Sequence, residues 1–166
     1  AAIANPFFGN LSSPHPPLSE FVYKVVGRWL GFNNLRIVPL VFSLLNLVLV
    51  YFSSFKLSGN KKVALIAAGL FTINIYVLIA NLQIDIDGAI LPFFILLSYY
   101  SYLHIRERWS IKWLAIFALA VVGGFLTKLS YILFIGALIV DQALFIYGVQ
   151  RKNIKQIFLG LWLWLI

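Results

Sequence analysis

The sequence predicts an all-α fold: a polytopic bundle of membrane-spanning helices, joined to an external amphipathic juxtamembrane helix. Three observations carry this reading. Hydrophobic residues make up 62% of the 166, charged residues 11%, and mean hydropathy is +0.95, far outside soluble globular composition. Several apolar runs approach the roughly 20 residues that a helix needs to cross a hydrocarbon core about 30 Å thick. The basic residues fall in short clusters between those runs, where they act as topology signals, so the net charge of +8 does not indicate a nucleic-acid partner. Cysteine is absent, which excludes disulfides and thiolate metal sites.

Residues 1–35 read as an external loop. Asn5-Pro6, Gly9-Asn10, Ser12-Ser13 and the prolines at 14, 16 and 17 are turn formers. The opening residues lack a charged stretch followed by an apolar core, so they do not read as a signal peptide. The prolines oppose a helix through His15, whereas Pro17 suits the first turn of the helix that follows. Leu18, Phe21, Val22, Val25, Val26, Trp29 and Leu30 then recur at i, i+3, i+4 and i+7, with Ser19, Glu20, Lys24 and Arg28 elsewhere on the surface. This pattern predicts an interfacial helix over 17–31, lying along the membrane rather than across it.

Residues 36–166 read as a transmembrane region, with spans at about 36–55, 63–81, 87–104, 112–127 and 130–148 and the start of another near 156. The fourth is short, so its ends are expected in protein or interface, and Gly123-Gly124 is expected to loosen its last turn. Lys56, Lys61 and Lys62 follow the first span, Arg106, Arg108 and Lys112 the third, and Arg151, Lys152 and Lys155 the fifth. With five crossings all three clusters share one side, which the positive-inside rule makes cytoplasmic. The 1–35 segment, the turn from Asn81 to Asp87 and the Thr127-Lys128 turn are then external. The chain has no Met and ends within the apolar stretch Ile157 to Ile166, so the expectation is a piece of a longer protein with sequence missing at both ends.

Chemistry is expected at the external span ends. Asp85 and Asp87, two of only five acidic residues, share the turn between the second and third spans. They are either solvated loop carboxylates or groups that orient a polar substrate or a basic side chain. Lys128 either binds phosphate as a point charge or snorkels to lipid headgroups. Arg36 is likewise a headgroup anchor or a phosphate clamp. His15 is a general base, a metal ligand or a structural turn residue. His104, the other histidine, falls on the cytoplasmic side, so no metal set is expected. Asp141, beside Gln142 in the fifth span, is expected to hydrogen-bond between helices. No phosphate-cradling glycine loop, serine nucleophile elbow or zinc helix motif occurs, and no catalytic residue is assigned from the chain itself.

Taken in order, four segments resemble the polytopic GT-C-type glycosyltransferases that use polyprenyl-phosphate sugars, among them protein O-mannosyltransferases and lipid A aminoarabinose transferases. His15-Pro16-Pro17-Leu18 is similar to the family's His-Pro-Pro-Leu at the start of an external juxtamembrane helix. Arg36-x-x-Pro39 resembles its Arg-x-Pro-Ser span, with Leu40 where a small polar residue is usual. Asp87-Gly88-Ala89-Ile90-Leu91-Pro92-Phe93-Phe94 resembles its external Asp and following helix, and Leu126-Thr127-Lys128 its later external turn.

The resemblance implies a membrane glycosyltransferase with its active site on the extracytoplasmic face. A hexosyl or pentosyl group would pass from a polyprenyl-phosphate donor to an acceptor hydroxyl, on a protein or glycolipid, with inversion. His15, Arg36, Asp85, Asp87 and Lys128 are then substrate-binding or positioning residues, with no metal and no cofactor. The family's base is an Asp upstream of His-Pro-Pro-Leu, and Ala1–Pro14 contain no acid, so the base is expected outside this sequence. Protein mannosyltransferases often continue with Gly-Lys where this chain has Ser19-Glu20, which leaves the acceptor open. The competing readings are a transporter or flippase-like protein, and a membrane subunit without chemistry. A transporter should carry paired helix breaks at the midplane, whereas the polar residues here gather at the external ends.

Overall fold

The computed structural model describes residues 17–74 and 89–150. They form α1 (Pro17–Leu30), a 3-10 turn (Phe32–Asn34), α2 (Ile37–Ser58), α3 (Lys61–Ile73), α4 (Ile90–Glu107), α5 (Ile111–Thr127) and α6 (Tyr131–Gln150), with no strand among the described residues. The chain divides into two units, residues 1–131 and 132–166, the second holding all of α6 but its first residue. The last part of the expected second span and the expected start of a sixth lie outside the described residues.

Local chemistry sets the turns. Gly59, at φ 65 and ψ 4, takes the left-handed conformation that ends α2, and its N–H donates to the Phe55 carbonyl at 2.8 Å. One residue later the Asn60 side chain accepts from the Lys62 N–H at 2.9 Å and starts α3. At the next such corner the Arg108 N–H closes α4 on the His104 carbonyl at 3.0 Å, and Leu114 N–H opens α5 on the Ser110 carbonyl at 3.0 Å. These short connections fold α3 back along α2, and α5 back along α4.

Helices α2 and α4 run parallel. Phe42 meets Phe93 with ring centroids 5.3 Å apart, Phe52 meets Tyr100 at 6.3 Å, and Lys56 pairs with Glu107, so partner numbers rise together along both helices. Lys56, Lys61, Lys62, Arg106, Arg108 and Lys112 therefore collect at one end of the unit, with Arg36 and Lys128 at the other.

The side-chain distribution is inverted relative to a soluble bundle. Asn46, Ser53, Ser98, Ser101 and Thr127 are buried, while Leu44, Leu65, Ile66, Leu119 and Val122 are exposed. The stretch Phe32–Ser58 is long and apolar enough to cross a membrane, and only 22% of its apolar window is buried, unlike the core helix of a soluble fold. Apolar surface that would be costly in water is at home in lipid. The fold is an all-α membrane bundle.

Helix α1 follows the same logic. It turns Ser19, Tyr23 and Gly27 to the protein, one turn apart, while Phe21 and Trp29 remain 61% and 86% exposed. Most of its apolar stripe therefore faces the surroundings, and a narrow stripe of small and polar groups makes the inner contact. Val22 and Val26 complete that contact from the flank.

The double glycine of α5 differs from its expected role. It does not loosen the last turn, because α5 continues through Thr127 and both glycines are buried. A Cβ on Gly123 would overlap the Phe94 ring, and one on Gly124 would overlap the Tyr131 ring. The missing side chains let two aromatic rings lie directly on the helix backbone. Gly123→Leu should therefore lower the thermal midpoint of the purified protein by several degrees, an overpacking cost of about 1–3 kcal/mol. Gly69→Ala, at a position with open space around it, should leave that midpoint unchanged or raise it.

Candidate functional site

The end of the unit opposite the basic corner is closed by an apolar plug. Tyr23 of α1, Leu35, Val38 of α2 and Ile90 of α4 form a buried cluster, with Val22, Val26, Phe42 and Phe94 against it. Phe94 reaches on to Gly123 of α5, and Tyr131 covers Gly124. Helix α1 thus lies across the ends of α2 and α5, held by contacts with both.

Arg36 and Lys128 stand beside this plug. Leu35 is 8% exposed and anchors the turn, so the neighbouring Arg36 is carried on the open side, exposed, at the N-cap of α2. The first turn of α2 has no acidic residue and no side-chain cap, and Pro39 lacks an N–H there. The macrodipole makes this position favourable for an anion, which a neighbouring guanidinium would bind.

Lys128 is fixed by its backbone. Its N–H donates to the Gly124 carbonyl at 3.0 Å, and its own carbonyl accepts from Tyr131 N–H at 3.1 Å. The side chain is half-buried at the C-cap of α5, where a cation complements the helix dipole. Neighbouring Thr127 is 1% exposed, and its hydroxyl donates to the Gly123 carbonyl at 2.8 Å. That hydroxyl is engaged within α5.

His15, Asp85 and Asp87 lie outside the described residues. The chain just after the aspartates is nevertheless tied down. Asn46, 2% exposed in the middle of α2, donates from Nδ2 to the Ala89 carbonyl at 2.9 Å. Ala89 and Ile90 are themselves 1% and 0% exposed, so α4 begins inside the bundle. The side-chain oxygen of Asn46, Oδ1, is buried without a partner.

Sequence reasoning passed over Asn46, and its signal was an amide within an otherwise apolar span. A second missed contact is Ser98 Oγ with the Tyr131 hydroxyl, 2.5 Å apart and buried, which joins α4 to the turn after Lys128. Among the described residues of this unit, Glu20 on α1 is the one carboxylate near this end, and it is exposed. The described arrangement can therefore hold and orient an anion, and it supplies no buried base.

The profile of the dolichyl-phosphate-mannose-protein mannosyltransferase family matches residues 14–166, from the proline cluster through every described helix. The chain belongs to this family. It is a membrane glycosyltransferase of the GT-C type. Curated proteins and solved structures give no significant match. Within this mannosyltransferase-family chain, Asn46 ties α2 to the start of α4. Asn46→Leu should lower the thermal midpoint by the loss of a buried hydrogen bond, about 1 kcal/mol, and Asn46→Gln should restore little because the longer amide overshoots Ala89.

Proposed function

We propose that the protein transfers a sugar from a polyprenyl-phosphate donor to an acceptor hydroxyl at the extracytoplasmic membrane face, with inversion at the anomeric carbon. The acceptor hydroxyl attacks that carbon, the bond from carbon to phosphate oxygen breaks, and the lipid phosphate leaves with the electron pair. Arg36 and Lys128 neutralise the charge that develops on the phosphate. A carboxylate takes the hydroxyl proton, and no described residue is assigned that role.

The observation that carries this reading is the presence of Arg36 and Lys128 at the same end of the unit, the end with the α1 cluster, in a chain of this family. The exposed apolar flanks of α2 and α5 lead to that end, which suits a donor whose isoprenoid tail stays in lipid while its phosphate sits at the interface. His15, just before α1, is read as a positioning residue for the helix mouth, and Asp85 and Asp87 as groups that orient the sugar or acceptor. The positive-inside rule puts the opposite, basic end in the cytoplasm. The family description favours a protein acceptor, with a glycolipid as the other candidate, and the mechanism invokes no metal or cofactor.

In the full-length protein, Lys128→Ala and Arg36→Ala should each reduce sugar transfer from the polyprenyl phosphate by roughly 100-fold, the scale on which one preorganised charge-stabilising donor acts. Arg36→Lys should recover part of the loss, because it restores charge without the bidentate fork. Wild-type rates for both alanine variants would contradict the phosphate role.

A further inference from the structure

The basic end carries a second feature that sugar transfer does not use. Lys56, Lys61, Lys62, Arg106, Arg108 and Lys112 meet there with Glu107 as the one described carboxylate in that corner, and Lys56 pairs with Glu107. Lys61, Lys62, Arg108 and Lys112 are exposed. Lys61 and Lys62 occupy the first turn of α3, and Lys112 that of α5, with no acidic residue in either turn. The helix dipole disfavours a cation at those positions, so the arrangement is electrostatically unfavourable until an anion covers it.

Between these cations the α4–α5 corner projects apolar groups. Trp109 is 72% exposed and Ile111 is 79% exposed, and the corner holding Trp109 is only the three residues 108–110. Its base is rigid: His104 stacks on Trp113 with ring centroids 4.0 Å apart and 8° between planes, and Tyr100 meets both rings edge-on at 4.7 and 5.5 Å. Lys112 lies 5.9 Å from the Trp113 ring centroid. The corner thus presents indole and cations together in a fixed arrangement.

We propose that this corner binds the anionic phospholipid headgroups of the leaflet it faces, with Trp109 inserted at headgroup depth and Arg108, Lys112, Lys61 and Lys62 around the phosphates. Charge complementarity favours an anionic surface, and the apolar groups decide which one. Leu57 of α2 and Leu65 and Ile66 of α3 are exposed as well, all apolar side chains that a bilayer covers. A Trp flanked by cations where an apolar surface ends is suited to the membrane–water interface. The inference does not depend on which sugar is transferred, or on any transfer at all.

The test uses the full-length protein reconstituted in phosphatidylcholine bilayers containing brominated phosphatidylglycerol or brominated phosphatidylcholine at equal mole fraction. The Trp109 signal is taken as the emission difference between wild type and Trp109→Phe. Brominated phosphatidylglycerol should quench that signal several-fold more than brominated phosphatidylcholine. Arg108→Gln should cut the preference by about fivefold, as expected for one cation near a charged surface, while quenching by phosphatidylcholine persists. Equal quenching by the two lipids in the wild type would overturn the proposal. Quenching of Trp109 by neither lipid, with the emission responding to soluble poly-glutamate, would assign the corner to an acidic protein partner and likewise overturn it.

Discussion

Hydrocarbon gives no hydrophobic gain for pressing one apolar helix against another, and the rest of this structure follows from that constraint. The helices must be held by close approach and by hydrogen bonds. At the α4–α5 seam the Phe94 ring lies on Gly123, the Tyr131 ring lies on Gly124, and Ser98 meets the Tyr131 hydroxyl. Where α2 meets the start of α4, a single amide, Asn46, reaches the Ala89 carbonyl. Dispersion contacts at the glycines and a few enclosed polar pairs hold together helices whose outer faces are apolar.

The same seams position the ends. Because α2 and α4 run parallel and in contact, with α3 folded back along α2 and α5 back along α4, the chain places Arg36 and Lys128 at the end with α1, and Lys56, Lys61, Lys62, Arg106, Arg108 and Lys112 at the opposite corner. The two ends are built differently. At the first, the buried cluster of Tyr23, Leu35, Val38 and Ile90 sets the turn that carries Arg36, and the Gly124 and Tyr131 backbone bonds set Lys128. At the second, the cations are exposed around an outward-pointing indole, an arrangement suited to a surface of many anions.

Much of this was legible in the sequence because it is local. The start of α1 at Pro17 follows from proline stereochemistry; Gly59, which ends α2, and Asn60, which starts α3, are local signals too, and the expected spans of about 36–55 and 63–81 did not use them. The grouping of basic residues on one end follows from alternating crossings. What escaped was nonlocal. Periodicity identified the apolar stripe of α1 but not that Ser19, Tyr23 and Gly27 would be the inner face, since in a membrane the apolar face is the one left outside. Hydropathy averaged over α2 hid Asn46, whose partner is 43 residues away. Gly123 and Gly124 looked like helix weakeners because their value lies in the rings of Phe94 and Tyr131, one on another helix and one beyond the next turn. For His15, Asp85 and Asp87 the described residues add only the fixed points that follow them, Pro17 and Ala89.

We propose that the end carrying Arg36 and Lys128 faces outward while the basic corner faces the cytoplasm. The 166 residues contain no cysteine, so an introduced cysteine is the one reporter within them, read against the unsubstituted protein as control. Asn33→Cys, Ser130→Cys and Ser58→Cys variants, exposed at the two ends, can be treated in sealed cells with a membrane-impermeant maleimide. Labelling of the first two in intact cells, and of Ser58→Cys only after permeabilisation, is the predicted result. Labelling of Ser58→Cys from outside, or of all three alike, would contradict it.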